Sequence, residues 1–260
     1  LKMSSCKSTL ARLLLACSHG SFNHGDLNAV RFRRTILGRS MTSSNVASEG
    51  RKELDFDCWE KARSDPNADF SNVNVIFGYG SVIFRQDFPY VRSFPASVHG
   101  FLRRFWQRSC DHRGTPDAPG RVLTLVRNDG SAELNEHETE VVHGLAFEIA
   151  DSDWSSVIDA LDVRERHGYE RTVVDLVQGD GQSSTPRKSA VYYAYKPEQS
   201  KSYVGPEDLS DTAAVIATAE GPSGKNDAYL FNLIDAMRER GLPEDPYLSA
   251  LADAVRRVQC

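Results

Sequence analysis

The sequence predicts an α+β fold, and three observations carry that expectation. Residues 141–149 alternate between apolar and polar positions well enough for a half-buried strand. The apolar run Val122-Leu-Thr-Leu-Val126 suits a more deeply buried one. Leu230, Leu233, Ile234 and Met237 recur at i, i+3, i+4 and i+7, the spacing of one helical face.

Taken in order, strands are expected over residues 73–77, 98–108, 121–126, 141–149, 171–177 and 190–195, separated by turns. Between the fourth and fifth, a short helix opens near Asp153 and carries Trp154, Val157, Ile158 and Leu161 at helical spacing. It runs out into a charged stretch closed by Gly168. The polar segment 178–188 is expected to be a mobile loop. The helix through Leu230 and Met237 stops at Gly241, ahead of Pro243. A last helix carries Leu248, Leu251 and Val255, with Asp245 as its N-cap and Pro246 in its first turn, where no helical partner for its missing N–H is needed.

The most informative stretch is Val75-Ile-Phe-Gly-Tyr-Gly-Ser81, an apolar strand running into Gly-x-Gly-Ser. Its glycines permit close approach to the main chain, its N–H groups can face an anion, and Tyr79 and Ser81 add hydroxyls at the rim. A bare Gly-x-Gly is equally the mark of a tight turn that binds nothing. Nucleotide readings fail: the third glycine of a dinucleotide fingerprint would fall at Ile83, and no Gly-Lys-Ser/Thr follows. The anion expected is smaller, such as a carboxylate.

In Ala160-Leu-Asp-Val-Arg-Glu-Arg-His-Gly-Tyr169, the helix end brings Asp162, Arg164, Glu165 and Arg166 to where side chains can enter a cleft. Glu165 is the candidate base. Arg164 and Arg166 would favour its ionised form, and burial would raise its proton affinity. An Arg-Glu-Arg run is also an ordinary solvated surface, and local sequence leaves both readings open.

The order of motifs separates them. The Phe77-Gly-Tyr-Gly-Ser81 turn is followed by Arg103-Arg-Phe-Trp-Gln107 with Asp111-His-Arg-Gly114, then Leu161-Asp-Val-Arg-Glu165, then Gly221-Pro-Ser-Gly-Lys-Asn226. In this the chain resembles the ChaC type of glutathione-specific gamma-glutamylcyclotransferase, from about Val73 to the final helix. The resemblance implies a small mixed β-barrel with peripheral helices, the gamma-glutamylcyclotransferase-like fold. It implies that Ile76, Phe77, Gly78, Tyr79, Gly80 and Ser81 bind the gamma-glutamyl group and that Glu165 is the catalytic acid/base. Glutathione would be closed to 5-oxoproline with release of cysteinylglycine, without cofactor or metal. A cyclotransferase for other gamma-glutamyl amino acids or amines, or a binding protein without turnover, are the rival readings. His167 departs from the family pattern where glycine is common, and Tyr247 where histidine is common.

Other chemistry finds less support. His137-Glu-Thr-Glu-Val141 lacks the second histidine of a zincin helix, and no Cys-x-x-Cys occurs. Asp111-His112 is a compact ligand-like pair, but adjacent residues on an extended segment point to opposite sides, so no metal is expected there. Asp111, His112 and Arg113 are instead expected to shape the pocket.

Composition adds bounds. Residues 1–50 hold seven Lys/Arg against two Asp/Glu, whereas the remainder holds 24 against 34. Residues 1–70 thus read as a basic, Ser/Arg-rich extension, disordered or targeting, ahead of a catalytic domain over 71–260. Organelle targeting, or a start at Met41 with a leader or tail before it, are both open for the extension; the expected location is the cytoplasm. The apolar stretch 13–17 is too short to span a bilayer. Five cysteines, at 6, 17, 58, 110 and 260, form no disulfide framework and imply a reducing compartment. An acidic domain without a basic stripe argues against nucleic acid as a partner.

Overall fold

The computed structural model describes residues 62–127, 139–178, 187–193 and 200–260. Most of the expected basic extension, nearly all of the polar loop 178–188 and the end of the strand expected over 190–195 lie outside the described residues. In chain order the elements are β1 (Arg63–Ser64), β2 (Val75–Gly78), a 3-10 turn (Ser81–Ile83), β3 (Arg92–His99), β4 (Phe101–Ser109), β5 (Gly120–Arg127), β6 (Val141–Glu148), α1 (Asp151–Arg164), β7 (Glu170–Gln178), β8 (Arg187–Tyr193), α2 (Leu209–Thr218), the short β9 (Glu220–Gly221) and β10 (Gly224–Lys225), α3 (Asn226–Glu239) and α4 (Pro246–Gln259).

Strands β7, β3, β6, β2 and β8 are neighbours in that order, and β7 also pairs with β8, so the sheet closes as a five-stranded barrel. Closure removes the exposed strand edges that an open sheet has to protect. Within the barrel every pairing is antiparallel except β2 with β8, which are joined through the single pair Ile76↔Ala190. β1 lies parallel to β7 outside the ring. Ile76, Val98, Ala146, Phe147, Leu176 and Val191 are almost fully buried, and their removal from water is the main force closing the barrel.

Residues 98–108 form two strands rather than one. Gly100, at φ +76, turns the chain out of the barrel after His99. From Phe101 the chain builds a separate two-stranded ribbon, β4 with β5. Apolar residues continue across the break, so hydrophobic pattern alone does not reveal it. A bulge gives β4 one extra residue between Arg104 and Gln107 opposite β5, which bends the ribbon.

The helices follow the predicted faces, with Val157, Ile158 and Leu161 of α1, Leu230, Leu233 and Met237 of α3, and Leu248, Leu251 and Val255 of α4 all buried. Sequence reading missed α2, whose buried face is Thr212, Ala213 and Ile216, too small and too polar a stripe to stand out. At the start of α4 the expected cap is present: Asp245 Oδ1 accepts from the Leu248 N–H at 3.1 Å. Its other oxygen lies 2.6 Å from Arg103 Nη1, a side chain only 1% exposed. Among the described residues no helix is long and apolar enough to cross a membrane.

Candidate active site

β2 delivers the Gly-Tyr-Gly-Ser turn to one end of the barrel. Ile76, Phe77, Gly78, Tyr79, Gly80 and Ser81 all line one small recess, and Glu165 lines it too. The turn's carbonyls are engaged in the 3-10 element, Gly80 O accepting from Ile83 N–H and Ser81 O from Arg85 N–H. Gly80 is closely approached: a Cβ built there would lie 3.1 Å from Tyr229 Oη. Ser81, Glu165, Tyr169 and Tyr229 also border a larger cavity of about 520 Å³, so recess and cavity share a wall.

Glu165 is the residue that ends α1. Its N–H still donates to Leu161 O at 2.7 Å, but its backbone, at φ −88 and ψ 60, has left the helix and turns the side chain inward. That side chain keeps 19% of its surface accessible, at the floor of the opening. Burial pushes its carboxyl above the ordinary range, while Arg164 and His112 draw it partly back. Arg164 Nε lies 3.4 Å from Glu165 Oε1, Nη2 donates to Ser81 Oγ at 3.0 Å, and Nη1 donates to Arg85 O at 3.0 Å. Arg166, expected to flank Glu165 electrostatically, instead donates to the Val163 carbonyl at 2.6 Å. It serves the helix C-terminus, where last-turn carbonyls lack partners.

Three buried phenols surround the carboxylate. Tyr79 Oη donates to Tyr192 O at 2.7 Å, and Tyr169 Oη donates to Leu123 O. Burial, with the negative charge of Glu165 adding to it, pushes Tyr79 well above the usual phenol range, and burial does the same for Tyr169. Burial pushes Tyr229 up to about 12, again with Glu165 contributing. All three are therefore neutral hydrogen-bonding groups at physiological pH. Tyr192 also borders the recess and donates to Asp162 Oδ1 at 2.7 Å.

Sequence reading did not single out Tyr169 or Tyr229 as site residues. The signal for Tyr229 was the Gly221–Asn226 motif just before it. Asn226, fully buried, accepts from Arg121 N–H at 2.6 Å and donates to Arg121 O at 2.7 Å. This fixes the start of α3 on β5, and Tyr229 lies one turn further on. Its ring packs edge-on against Phe84 and Phe105.

On the cavity wall, Asp111 and His112 do not point to opposite sides. β4 ends at Ser109 and the chain bends, so Asp111 Oδ1 comes within 2.6 Å of His112 Nδ1. Asp111 Oδ2 lies 2.8 Å from His167 Nε2. Burial alone would raise the Asp111 carboxyl, but the two imidazoles hold it well below the usual range.

The ChaC-like protein family model matches residues 74–258. Gamma-glutamylcyclotransferase 2-3 of Arabidopsis thaliana is 37% identical over 186 residues, covering 70% of this chain and 88% of the relative. The glutathione-specific gamma-glutamylcyclotransferase of Saccharomyces cerevisiae is 34% identical over 225 residues, covering 71% of this chain and 96% of the relative. Glutathione-specific gamma-glutamylcyclotransferase 1 of Homo sapiens is 37% identical over 183 residues, covering 69% and 77%. A crystal structure of a yeast glutathione-specific gamma-glutamyl cyclotransferase superimposes with a TM-score of 0.62 at 31% identity, over 72% of this chain and 99% of that one. With the barrel, the ordered motifs and these matches in agreement, the chain belongs to the ChaC-like protein family.

Proposed function

We propose that the protein is a cofactor-free gamma-glutamylcyclotransferase acting on glutathione, with Glu165 as its proton carrier and the turn from Ile76 to Ser81 as the cradle for the gamma-glutamyl group. The observation that carries this reading is the meeting of those six residues and Glu165 in one recess. The Gly80 and Ser81 carbonyls accept within the 3-10 element, and the N–H groups of the turn are the donors this reading gives to the glutamyl carboxylate.

In this reaction the substrate's own α-amine attacks its γ-carbonyl. The amine is mostly protonated near neutral pH, so a base has to take its proton first. Burial raises the proton affinity of the Glu165 carboxyl, the direction that step needs. The N–C bond of a five-membered lactam forms, the amide C–N bond breaks, and the proton held by Glu165 goes to the departing nitrogen of cysteinylglycine. Atoms balance without water. Because the attack is intramolecular, holding amine and carbonyl adjacent lowers the barrier by itself, by as much as several kcal/mol. The neutral phenols of Tyr79, Tyr169 and Tyr229 make the recess polar without adding a charge that would compete with Glu165.

The larger cavity beyond the recess accommodates the cysteinylglycine half of the substrate. The test is incubation of the full chain with glutathione and, separately, with gamma-glutamylalanine, following 5-oxoproline. Turnover of glutathione that disappears in Glu165→Gln supports the reading. Preferential turnover of gamma-glutamylalanine moves the specificity, and a folded protein giving no product leaves a binding protein.

A further inference from the structure

Beyond the influence of His112 on Glu165, the proton-transfer reading gives one cluster of side chains no direct part. Asp111, His112 and His167 each offer a ligand atom, and the three atoms lie within 4.8 Å of one another on the wall of the large cavity. They come from two distant segments, the bend after β4 and the turn after α1.

His167 is the informative member. Its backbone sits at φ +68, a left-handed conformation that a histidine adopts at a cost and that glycine accepts freely. Its carbonyl is held there by Gln107 Nε2 and Ser200 Oγ, each at 2.7 Å, so the surroundings fix the conformation. The side chain is 9% exposed. Its Nε2 approaches Asp111 Oδ2 to 2.8 Å, yet among the described residues neither ring nitrogen makes an aligned hydrogen bond. A strained, buried imidazole held 2.8 Å from a carboxylate, with its other ring nitrogen Nδ1 unpartnered among the described residues, is poorly explained by packing alone.

We propose that Asp111, His112 and His167 form a three-ligand site for a Zn2+-class transition-metal ion at the cavity wall. Two imidazoles and a carboxylate suit zinc or cobalt, whereas magnesium and calcium favour all-oxygen shells. Bonds of about 2.0–2.2 Å allow ligand atoms roughly 4 Å apart at most. His112, whose side chain is 49% exposed, has the freedom to close the remaining gap. Three protein ligands leave a coordination position open toward the cavity. On the functional reading above, the cysteinylglycine half of glutathione extends past this point, and its thiol is itself a zinc ligand.

The test titrates the full chain with Zn2+ by calorimetry and with Co2+ by visible absorption, alongside His167→Gly and Asp111→Asn. Glycine fits the φ at 167, and asparagine keeps the shape at 111, so both variants keep the fold, which circular dichroism checks. Loss of a direct ligand should weaken Zn2+ binding by at least the roughly 10–100-fold that loss of an outer-shell partner costs. The Co2+ complex of the unsubstituted chain should show d–d bands without a sulfur-to-cobalt charge-transfer band. Equal Zn2+ affinity in all three proteins, or a cobalt spectrum dominated by thiolate ligation in each, overturns the proposal. Metal binding as expected in a chain that does not turn over glutathione would keep the site and remove the cyclotransferase reading. Normal turnover with no His167-dependent binding would do the reverse.

Discussion

Arg164 joins the two halves of the site directly: its Nη2 donates to Ser81 Oγ at 3.0 Å, across 83 positions of sequence, while its Nε lies 3.4 Å from Glu165 Oε1. The guanidinium fork does what a point charge cannot, since it also reaches the Arg85 carbonyl at 3.0 Å. Arg164→Lys keeps the charge and loses the fork. We expect kcat/KM for glutathione to fall by about tenfold to a hundredfold, since small misplacements of reacting groups carry losses of that order. Steady-state kinetics on a folded variant checks this, and unchanged kinetics would show that the fork does not position the turn.

Glu165→Gln keeps the side chain's shape and removes its basicity. Positioned acid/base groups contribute about 10²–10⁴-fold, so kcat should drop by that order with the fold retained. Glutathione binding, followed by calorimetry, should survive. A variant with more than a tenth of the parent kcat would take the proton-carrier role away from Glu165.

Gly80→Ala puts a methyl group 3.1 Å from Tyr229 Oη and 3.5 Å from Leu123 Cδ1. Tyr229 is held edge-on between Phe84 and Phe105 and cannot yield freely. The single variant should melt lower than the parent. Combining it with Tyr229→Phe, which removes the hydroxyl, should recover part of the loss, giving the non-additivity expected of residues in contact. Strictly additive melting shifts would place the methyl group elsewhere.

The four motifs made the recess legible in the sequence because each residue they supply acts through local shape: a glycine turn, a helix end, a buried asparagine. What stayed hidden was long-range. Tyr169 and Tyr229 read as ordinary core aromatics, since nothing near them in sequence says that they meet at Glu165. The Asp111-His112 pair was misjudged because the extended geometry assumed for it ends at Ser109. The break at Gly100 was missed for a similar reason, the apolar pattern being continuous where the backbone is not. Arg166 looked equivalent to Arg164, and only the helix-end carbonyl of Val163 distinguishes them.

Arg103 and Asp245 form a nearly dry ion pair at 2.6 Å that also caps α4. Removing one partner leaves the other buried and unpaired, a loss of about 3–5 kcal/mol in comparable cases. Asp245→Ala should approach the upper end because the helix cap is lost as well. Urea unfolding measures the difference, and a loss below about 1 kcal/mol, the scale of an exposed pair, would contradict the burial argument.

Acid should weaken the fold through Glu207. Burial pushes its carboxyl up, but the two-pronged contact with Arg121, at 2.9 and 2.7 Å, and the Thr212 hydroxyl, at 2.9 Å, leave it below the ordinary value. A carboxyl lowered in the folded state stabilises fully above the unfolded value of about 4.3 and loses that contribution as pH falls through its folded value. Stability measured from pH 7 downward should therefore decline more steeply below about pH 4.3 in the parent than in Glu207→Gln. Parallel curves would assign the acid sensitivity to other carboxylates.

The bond from Tyr79 to the carbonyl of Tyr192 spans 113 positions. As the chain emerges from the ribosome, the glycine turn appears long before β8, and α3 with Tyr229 follows later still. Contacts of such wide separation form late, because closing a long loop costs entropy before any contact offsets it. The turn that carries the motif is therefore inert through most of synthesis, and a chain cut short before α3 holds the recognisable sequence without the completed recess. Competence belongs to the finished barrel and its helices, and it arrives in one late step.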